Sequence, residues 1–344
     1  MVRIWVYDDC LASAVGGFLD VFSTANAVWR GLYPDLPAPF VTRIESLDGG
    51  AVRAASGMQI SVDGRLSPRT RTAAVLLPGI FCSEGSESLA ARLCQLGALH
   101  GPLRRQLTAG ALLCANCSAS FVLGDAGLLD GRRATTTWWL AEAFRERFPT
   151  CLLDANAVLS EDQGILCSGA TTTYLDLALR VVEQLAGMAC ASACARLLLI
   201  DGDRDSQAPY MTRTLQEQTS HSDALVSRSQ RWIQRNLAHP FSLERLAHAT
   251  ASSERTLIRR FQSALRTTPL GYVQTLRVEA AKGLLVSSQL DVQRVAERVG
   301  YGDVSSFRRI FKREVGLTPL AYRRRFERAR SHGKGTSSIA SGKP

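Results

Sequence analysis

The sequence predicts two domains of different class: an open α/β parallel-sheet domain over residues 1–200, then an all-α domain over residues 221–328 with two helix-turn-helix units. Three observations carry this expectation. Strand-like apolar runs alternate with helical patterns through the first 200 residues, the arrangement of a parallel sheet covered by helices on both faces. Further on, one pattern is written twice. Phe241-Ser242-Leu243-Glu244-Arg245-Leu246-Ala247 returns 49 residues later as Leu290-Asp291-Val292-Gln293-Arg294-Val295-Ala296. Arg259-Arg260-Phe261 and Thr268-Pro269-Leu270-Gly271-Tyr272 return 50 residues later as Arg309-Ile310-Phe311 and Thr318-Pro319-Leu320-Ala321-Tyr322, so one residue was gained in a turn between them. Two copies are too few for a solenoid, which needs about three, and read as a duplicated module. The third observation is charge. Residues 221–344 hold 23 Lys and Arg against 9 Asp and Glu, whereas residues 1–220 hold 18 against 22. The net +10 of the chain belongs to its C-terminal third, which points to a polyanionic partner.

Taken in order, residues 3–7 alternate and are bounded by Asp8-Asp9, a strand; residues 75–77 before Pro78-Gly79, and residues 111–115, are short runs of the buried parallel kind. Helical patterns occupy residues 17–29, 88–99 and 118–129, and Asp48-Gly49-Gly50 with Asp63-Gly64 punctuates a hairpin region between residues 40 and 60. The N-terminus lacks the apolar core of a signal peptide, and Arg196 interrupts the most apolar stretch, residues 185–200. A cytoplasmic protein without a membrane partner is expected. Nine cysteines, all before residue 195, fit reduced thiols better than a disulfide framework. Cys114-x-x-Cys117 has redox or zinc spacing but lacks a second pair or a nearby histidine, so neither metal nor cofactor is expected.

Cys117 is the informative residue of this half. A strand ending at Asn116 and a helix beginning near Ala119 put its thiol on a sharp turn at the carboxyl edge of the sheet, above a helix N-terminus. Such positions lower a thiol pKa and are where open α/β sheets bind ligands. Three readings stay open: a small residue packed in an elbow, a residue lining a ligand pocket, or a catalytic nucleophile. The last needs a base, and His100, the one histidine before residue 221, falls on a different helix.

Cys117-Ser118-Ala119-Ser120-Phe121-Val122-Leu123, followed by Ala126-Gly127-Leu128-Leu129-Asp130-Gly131-Arg132-Arg133-Ala134-Thr135-Thr136-Thr137-Trp138, resembles the nucleophile-elbow region of PfpI and class I glutamine amidotransferase-like domains. Gly17-Phe18-Leu19-Asp20-Val21-Phe22 with Ala25-Asn26 resembles their first helix. The resemblance implies a flavodoxin-like, amidotransferase-like sheet with a ligand site at Cys117 and Ser118. Ala119 stands where a glycine usually follows the elbow, and Thr137 where a histidine often precedes the tryptophan. Both departures weigh against catalysis and leave a sensory role intact.

Beyond the elbow, a helix is expected over residues 172–188 and another to residue 200. Leu175, Leu177, Leu179, Val182 and Leu185 spread around more than one face, which either a partner subunit in a homodimer or burial within the monomer would explain. Residues 201–220, polar and containing Gly202 and Pro209, read as a linker, and residues 329–344 as a disordered tail.

In the basic third, residues 224–237 form a helix anchored by Leu225, Trp232 and Ile233 and stopped by His239-Pro240. Ser242 caps residues 243–249 and Ser253 caps residues 254–265, two short helices around Thr250-Ala251-Ser252. Thr268-Pro269 launches a long helix to residue 287 whose single apolar stripe is Val273, Leu276, Ala280, Leu284 and Leu285. Asp291 caps residues 292–298, Gly300-Tyr301-Gly302 makes a longer turn, Asp303 caps residues 304–315, and Thr318-Pro319 opens a last helix to residue 328. In the second helix of the first unit Leu257, Phe261 and Leu265 face inward, leaving Arg255, Ile258, Arg259 and Gln262 outward. In the second unit Phe307, Ile310 and Phe311 face inward, leaving Ser305, Ser306, Arg309 and Lys312. Arginines and small hydroxyls on one exposed helical face suit base edges in a major groove. Arg260, Arg266, Arg308, Arg313, Arg323, Arg324 and Arg325 are then available for phosphates.

The motif order Leu246-Ala247, Ser253-x-Arg255-x-Leu257-x-x-x-Phe261, Val295-Ala296-x-x-Val299-Gly300-Tyr301-x-Asp303-x-Ser305-x-Phe307-x-x-x-Phe311-Lys312, and Gly316-x-Thr318-Pro319-x-x-Tyr322-Arg323 resembles the AraC/XylS family of transcription regulators. That resemblance implies two units in successive major grooves, with Arg255, Ile258 and Arg259 reading bases from one and Ser305, Ser306 and Arg309, beside Lys312, from the other. Ile258 then meets a thymine methyl. The expected protein is a homodimeric regulator of promoter DNA that answers to a small-molecule effector, an amino acid or amine, and engages RNA polymerase if it activates. The alternatives are a thiol-dependent amidohydrolase-like enzyme fused to a DNA-binding module, and a nonspecific architectural DNA binder.

Overall fold

A computed structural model describes residues 1–67, 70–81, 86–201, 204–211 and 223–327. The chain divides after Gln207 into two compact units.

The first unit is built on β1 (Val2–Trp5), β2 (Thr42–Ser46), β3 (Val52–Arg53), β4 (Gln59–Ile60), β5 (Gly64–Arg65), β6 (Ala74–Leu77), β7 (Leu112–Asn116), β8 (Arg133–Ala134), β9 (Leu152–Leu153), β10 (Leu159–Asp162) and β11 (Ile165–Ser168). Its helices are α1 (Ala12–Leu32), α2 (Ser86–Gln95), α3 (His100–Thr108), α4 (Ser120–Asp125), α5 (Ala141–Arg147), α6 (Tyr174–Ala186) and α7 (Met188–Leu197). Seven strands form the main sheet in the order β10-β11-β7-β6-β1-β2-β5. All neighbours are parallel except β10, which turns back antiparallel on β11. Every residue of β1, β6 and β11 is buried, as expected where helices cover both faces of parallel strands. α1, α6 and α7 pack together, and α2, α3 and α4 form a second group.

Two strand readings are corrected. The strand read at residues 3–7 runs over Val2–Trp5, and its Arg3 is 2% exposed because its Nη1 pairs with Glu45 Oε2 on β2 at 3.0 Å and also donates to the Ser67 carbonyl. Within the region read as a hairpin, only β3 and β4 pair antiparallel, while β2 runs parallel to β1 in the main sheet. The helix expected to reach residue 129 stops at Asp125, where Gly127 turns the chain at φ +65 and Leu128 N–H donates to Leu123 O.

Within the chain itself, α1 and the sheet bury Leu177 and Val182 of α6 completely, whereas Leu185 remains 38% exposed. α7 approaches α1 closely through two cysteines, whose Cys190 and Cys194 thiols reach the carbonyls of Ala25 and Val21 at 3.6 Å. All eight described cysteines are free thiols. Residues 204–207, read as linker, belong to this unit. Arg204 pairs with Asp176 at 2.7 Å, Ser206 bridges to Ala157, and Gln207 is 2% exposed. Residues 208–211 fall in the second unit, while linker residues 202–203 and 212–220, and the tail at 329–344, lie outside the described residues. Among the described residues no helix is long and apolar enough to cross a membrane.

The second unit holds α8 (Ala224–Arg235), α9 (Leu243–Ala249), α10 (Glu254–Leu265), α11 (Pro269–Ser287), α12 (Val292–Arg298), α13 (Val304–Val315) and α14 (Pro319–Glu327). α8, α9, α10 and the start of α11 close one hydrophobic core around Val226, Ile233, Leu257 and Phe261. The rest of α11 with α12, α13 and α14 closes another around Leu285, Phe307 and Phe311. α11 therefore lacks the single stripe expected of it. Tyr272, Val273, Leu276, Arg277, Val278, Ala281, Lys282 and Leu285 are buried around its circumference, because one helix serves two cores.

The Arg3–Glu45 pair yields a stability prediction. Arg3→Leu leaves the Glu45 carboxylate uncompensated and should cost roughly 3–5 kcal/mol. The double variant Arg3→Leu/Glu45→Leu should recover most of it. Urea unfolding followed by the fluorescence of Trp5, fully buried on β1, measures both.

Candidate functional site

The second unit presents its candidate site through helix caps. Ser242, Ser253, Thr268, Asp291, Asp303 and Thr318 each accept a backbone N–H from the first turn of the helix that follows. These caps fix where α10 and α13 begin, and so which residues point outward. In α10, Leu257 and Phe261 are fully buried, while Arg255, Ile258, Arg259 and Gln262 are exposed, Ile258 at 42%. In α13, Phe307 and Phe311 are fully buried, while Ser305, Arg309 and Lys312 are exposed. Ser306 is half-buried, and both its N–H and its hydroxyl serve the cap Asp303. That hydroxyl, then the N–H groups of Ser306 and Ser305, hold the Asp303 carboxyl below the usual carboxylate range.

The two turns are homologous up to one residue. Ala251 at φ +51 and Gly300 at φ +94 are both left-handed. Ser252 N–H donates to Ala247 O, and Tyr301 N–H to Ala296 O, each at 2.9 Å. The gained residue is therefore Gly302, between that shared turn and the cap.

Not every arginine expected to meet phosphate is available. Arg323 is half-buried, with Nε on Leu285 O at 3.0 Å and Nη2 on Leu290 O, so its planar head closes the end of α11 instead. Arg260 pairs with the α8 cap Asp223 at 2.9 Å, Arg325 lies over the Tyr210 ring at 5.3 Å, and Arg313 engages Glu314 and Gln274. Arg308 and Arg324 are exposed.

In the first unit, Cys117 follows the last residue of β7 at φ +56, a left-handed conformation rare for a residue with a side chain. Two hydroxyls hold its carbonyl, Ser120 at 2.9 Å and Thr136 at 3.3 Å, and bond each other at 2.8 Å. Cys117 is 4% exposed, and Gly79 is packed so closely that a Cβ there would lie 3.0 Å from the Cys117 Cβ. Ser118 is buried with its hydroxyl committed to the fold, donating to Ile80 O at 2.6 Å and accepting from Ile80 N at 2.8 Å. Sequence reasoning missed the rest of this edge. Tyr7, after β1, donates its hydroxyl to Pro78 O, and burial, with Cys10 and Cys117 beside it, pushes its phenol well above the ordinary value. Burial likewise raises the Cys10 thiol to about 11. Thr137 is fully buried, and its Oγ1 makes no hydrogen bond; the same holds for Oδ1 of Asn116, next to the elbow. The usable signal was positional: Tyr7-Asp8-Asp9-Cys10 and Pro78-Gly79-Ile80 follow neighbouring parallel strands at their carboxyl ends.

A strained cysteine elbow on a parallel sheet, joined in one chain to two capped helix-turn-helix units with basic outer faces, defines an α/β domain coupled to a DNA-binding domain. The helix-turn-helix domain model matches residues 246–325, and the DJ-1/PfpI family model matches residues 32–184. The HTH-type transcriptional regulator CdhR of Pseudomonas aeruginosa is 28% identical over 274 residues, 80% of this chain and 79% of that protein. The HTH-type transcriptional regulator GlxA of Rhizobium meliloti is 28% identical over 228 residues, 66% of this chain and 70% of that protein. Among solved structures, an AraC family transcriptional regulator from Pseudomonas putida is 21% identical, with a TM-score of 0.47, covering 57% of this chain and 98% of that one. The chain thus joins an AraC-type helix-turn-helix domain to an N-terminal DJ-1/PfpI domain, and the proteins it resembles over most of its length are HTH-type transcriptional regulators.

The packing at the elbow makes a prediction of its own. Gly79→Ala forces a methyl to within 2.9 Å of the Leu11 side chain and 3.0 Å of the Cys117 Cβ. It should destabilise the first unit by roughly 1–3 kcal/mol, read as a lowered midpoint in chemical denaturation.

Proposed function

We propose that α10 and α13 are the base-reading helices of this regulator, and that a small polar metabolite bound near Cys117 governs their use of promoter DNA. The observation that carries the reading is that one capped scaffold, written twice, exposes two unlike faces: Arg255, Ile258 and Arg259 against Ser305, Ser306, Arg309 and Lys312. Scaffold residues match while outward residues differ, as expected of two modules that recognise different bases. Ile258 offers an apolar contact to a thymine methyl, and Arg255, Arg259 and Arg309 offer paired donors to guanine. Arg308 and Lys312, exposed and basic, serve phosphates.

For the effector, support comes from the buried Thr137 hydroxyl and the Asn116 carbonyl oxygen, two unmatched hydrogen-bonding groups flanking the elbow. Such groups favour a polar ligand, and an amino acid or amine fits them. Cys117 and Ser118 place the elbow backbone against that ligand. The chain acts as a sensor and not as an amidohydrolase: Ala119 and Thr137 replace residues usual at such elbows, and the similar proteins are named as regulators. It works in the cytoplasm as a homodimer, whose interface includes apolar residues left exposed on and beside α6 and α7, namely Leu185, Met188, Leu197 and Leu199. RNA polymerase is a further partner where the regulator activates.

Arg309→Ala should weaken binding to the selected site by roughly 1–3 kcal/mol and relax its sequence preference there. In a gel-shift comparison of specific and random DNA, equal losses on both would instead fit a nonspecific binder. Affinity should also fall steeply and log-linearly with salt, because several phosphates are neutralised; a flat titration would remove the phosphate contacts from the reading. Cys117→Ser should leave DNA affinity intact and change induction in a reporter strain; unchanged induction would return Cys117 to a packing role.

A further inference from the structure

Between the two hydrophobic cores of the second unit lies one buried guanidinium. Arg277 sits midway along α11, between Leu276, the last α11 residue of the first core, and Val278, the first of the second core. Its Nε donates to Leu237 O at 3.1 Å and its Nη2 to His239 O at 2.6 Å. Both acceptors follow the end of α8, where helix geometry leaves carbonyls without intrahelical donors. On its other side the guanidinium carbon lies 5.2 Å from the centre of the Tyr301 ring, in the turn of the second module. Gly300 closes the junction. At φ +94 it comes so near that a Cβ would lie 2.6 Å from Leu237 O and 2.7 Å from Arg277 Nη2.

The duplication shows that this arginine is out of register with its counterpart. In the second module Arg323 holds the carbonyls at the end of α11, and the residue 50 positions earlier is Val273. The first module's arginine comes four residues later, one helical turn further along α11. Moved by that turn, its planar head can hold the first module's carbonyls and the second module's aromatic ring together. A lysine could not present two fixed donors and a flat face at once.

We propose that Arg277 is a positioning residue for DNA recognition: it fixes the relation between the two helix-turn-helix modules and so sets the spacing of the two DNA elements they read. This rests on the reading of α10 and α13 as base-reading helices. The apolar cores hold each module together separately, and the polar junction holds one against the other.

The test uses the full-length protein and a duplex selected from random DNA, together with versions carrying one base pair inserted or deleted between the two protected elements. One base pair turns an element by roughly 35° about the duplex axis, so wild-type affinity should fall roughly 10-fold or more for either change. Arg277→Lys and Gly300→Ala should bind the parent duplex more weakly and lose most of that spacing penalty, to within about threefold. Tyr301→Leu, which keeps the site filled, supplies the same test if either variant loses helicity by circular dichroism. A penalty of wild-type size in these variants, with affinity alone lowered, would overturn the inference and leave Arg277 a structural residue. Wild-type binding indifferent to spacing would overturn instead the underlying reading of two jointly placed helices.

Discussion

The DNA-binding unit depends on α11 burying side chains around most of its circumference. A helix of 19 residues with apolar side chains around its circumference cannot stand in water and must be wrapped. Here each half of it is wrapped by a different helix-turn-helix module. From that constraint follows the order of everything else. α8, α9 and α10 must close over its start, and α12, α13 and α14 over its end. Each module then needs a residue exposed on the far face of its second helix, and there the chain places arginine, isoleucine, serine and lysine. Burying the helix also forces its two basic residues to find partners within the fold: Lys282 bonds Glu279 and Met211 O, and Arg277 takes the carbonyls of Leu237 and His239.

The first unit obeys a different constraint, at a single residue. Cys117 must adopt φ +56 because the strand before it and the helix after it leave one residue in which to reverse direction. Strain of this kind persists only where neighbours over-determine it. Here the neighbours are the Ser120 and Thr136 hydroxyls on its carbonyl, and Ser118 anchored to Ile80 on the adjoining strand's loop. Thr136 belongs in turn to a segment held by Gln207, whose Nε2 donates to Thr136 O at 3.1 Å and to Ala157 O at 2.9 Å. The last residue of the sensory unit is thus hydrogen-bonded to the segment that supports the elbow.

Local chemistry was legible in the sequence wherever a residue acts on its own chain neighbours. Ser242, Ser253, Asp291 and Asp303 announced helix starts because a short polar side chain can reach the N–H two or three residues on. Periodicity separated Leu257 and Phe261 from Arg255 and Arg259 for the same reason: a helix face is a local property. What escaped was set by distant partners. The burial of Arg3 depends on Glu45, which only the sheet brings beside it. Arg323 reads as a phosphate ligand until the end of α11 is known to need donors. α11 showed one stripe because its second covering module is not visible from its own residues. The α/β class was legible from alternation, but the parallel placement of β2 and the binding of residues 204–207 to the first unit were decided by tertiary contacts.

The duplication also bears on the starts of α10 and α13. The N-terminus of α10 is capped by the neutral hydroxyl of Ser253, with the Glu254 carboxylate in its first turn. α13 begins behind Asp303, whose carboxylate takes the Ser306 hydroxyl and the N–H groups of Ser306 and Ser305, which hold it below the usual carboxylate range. A phosphate at that end would meet a like charge. The start of α10 presents the same obstacle through Glu254, so neither helix start offers an anion an uncompensated positive end. Duplication kept the scaffold and left one carboxylate at each of these helix starts, in the first turn of α10 at Glu254 and at the cap of α13 at Asp303.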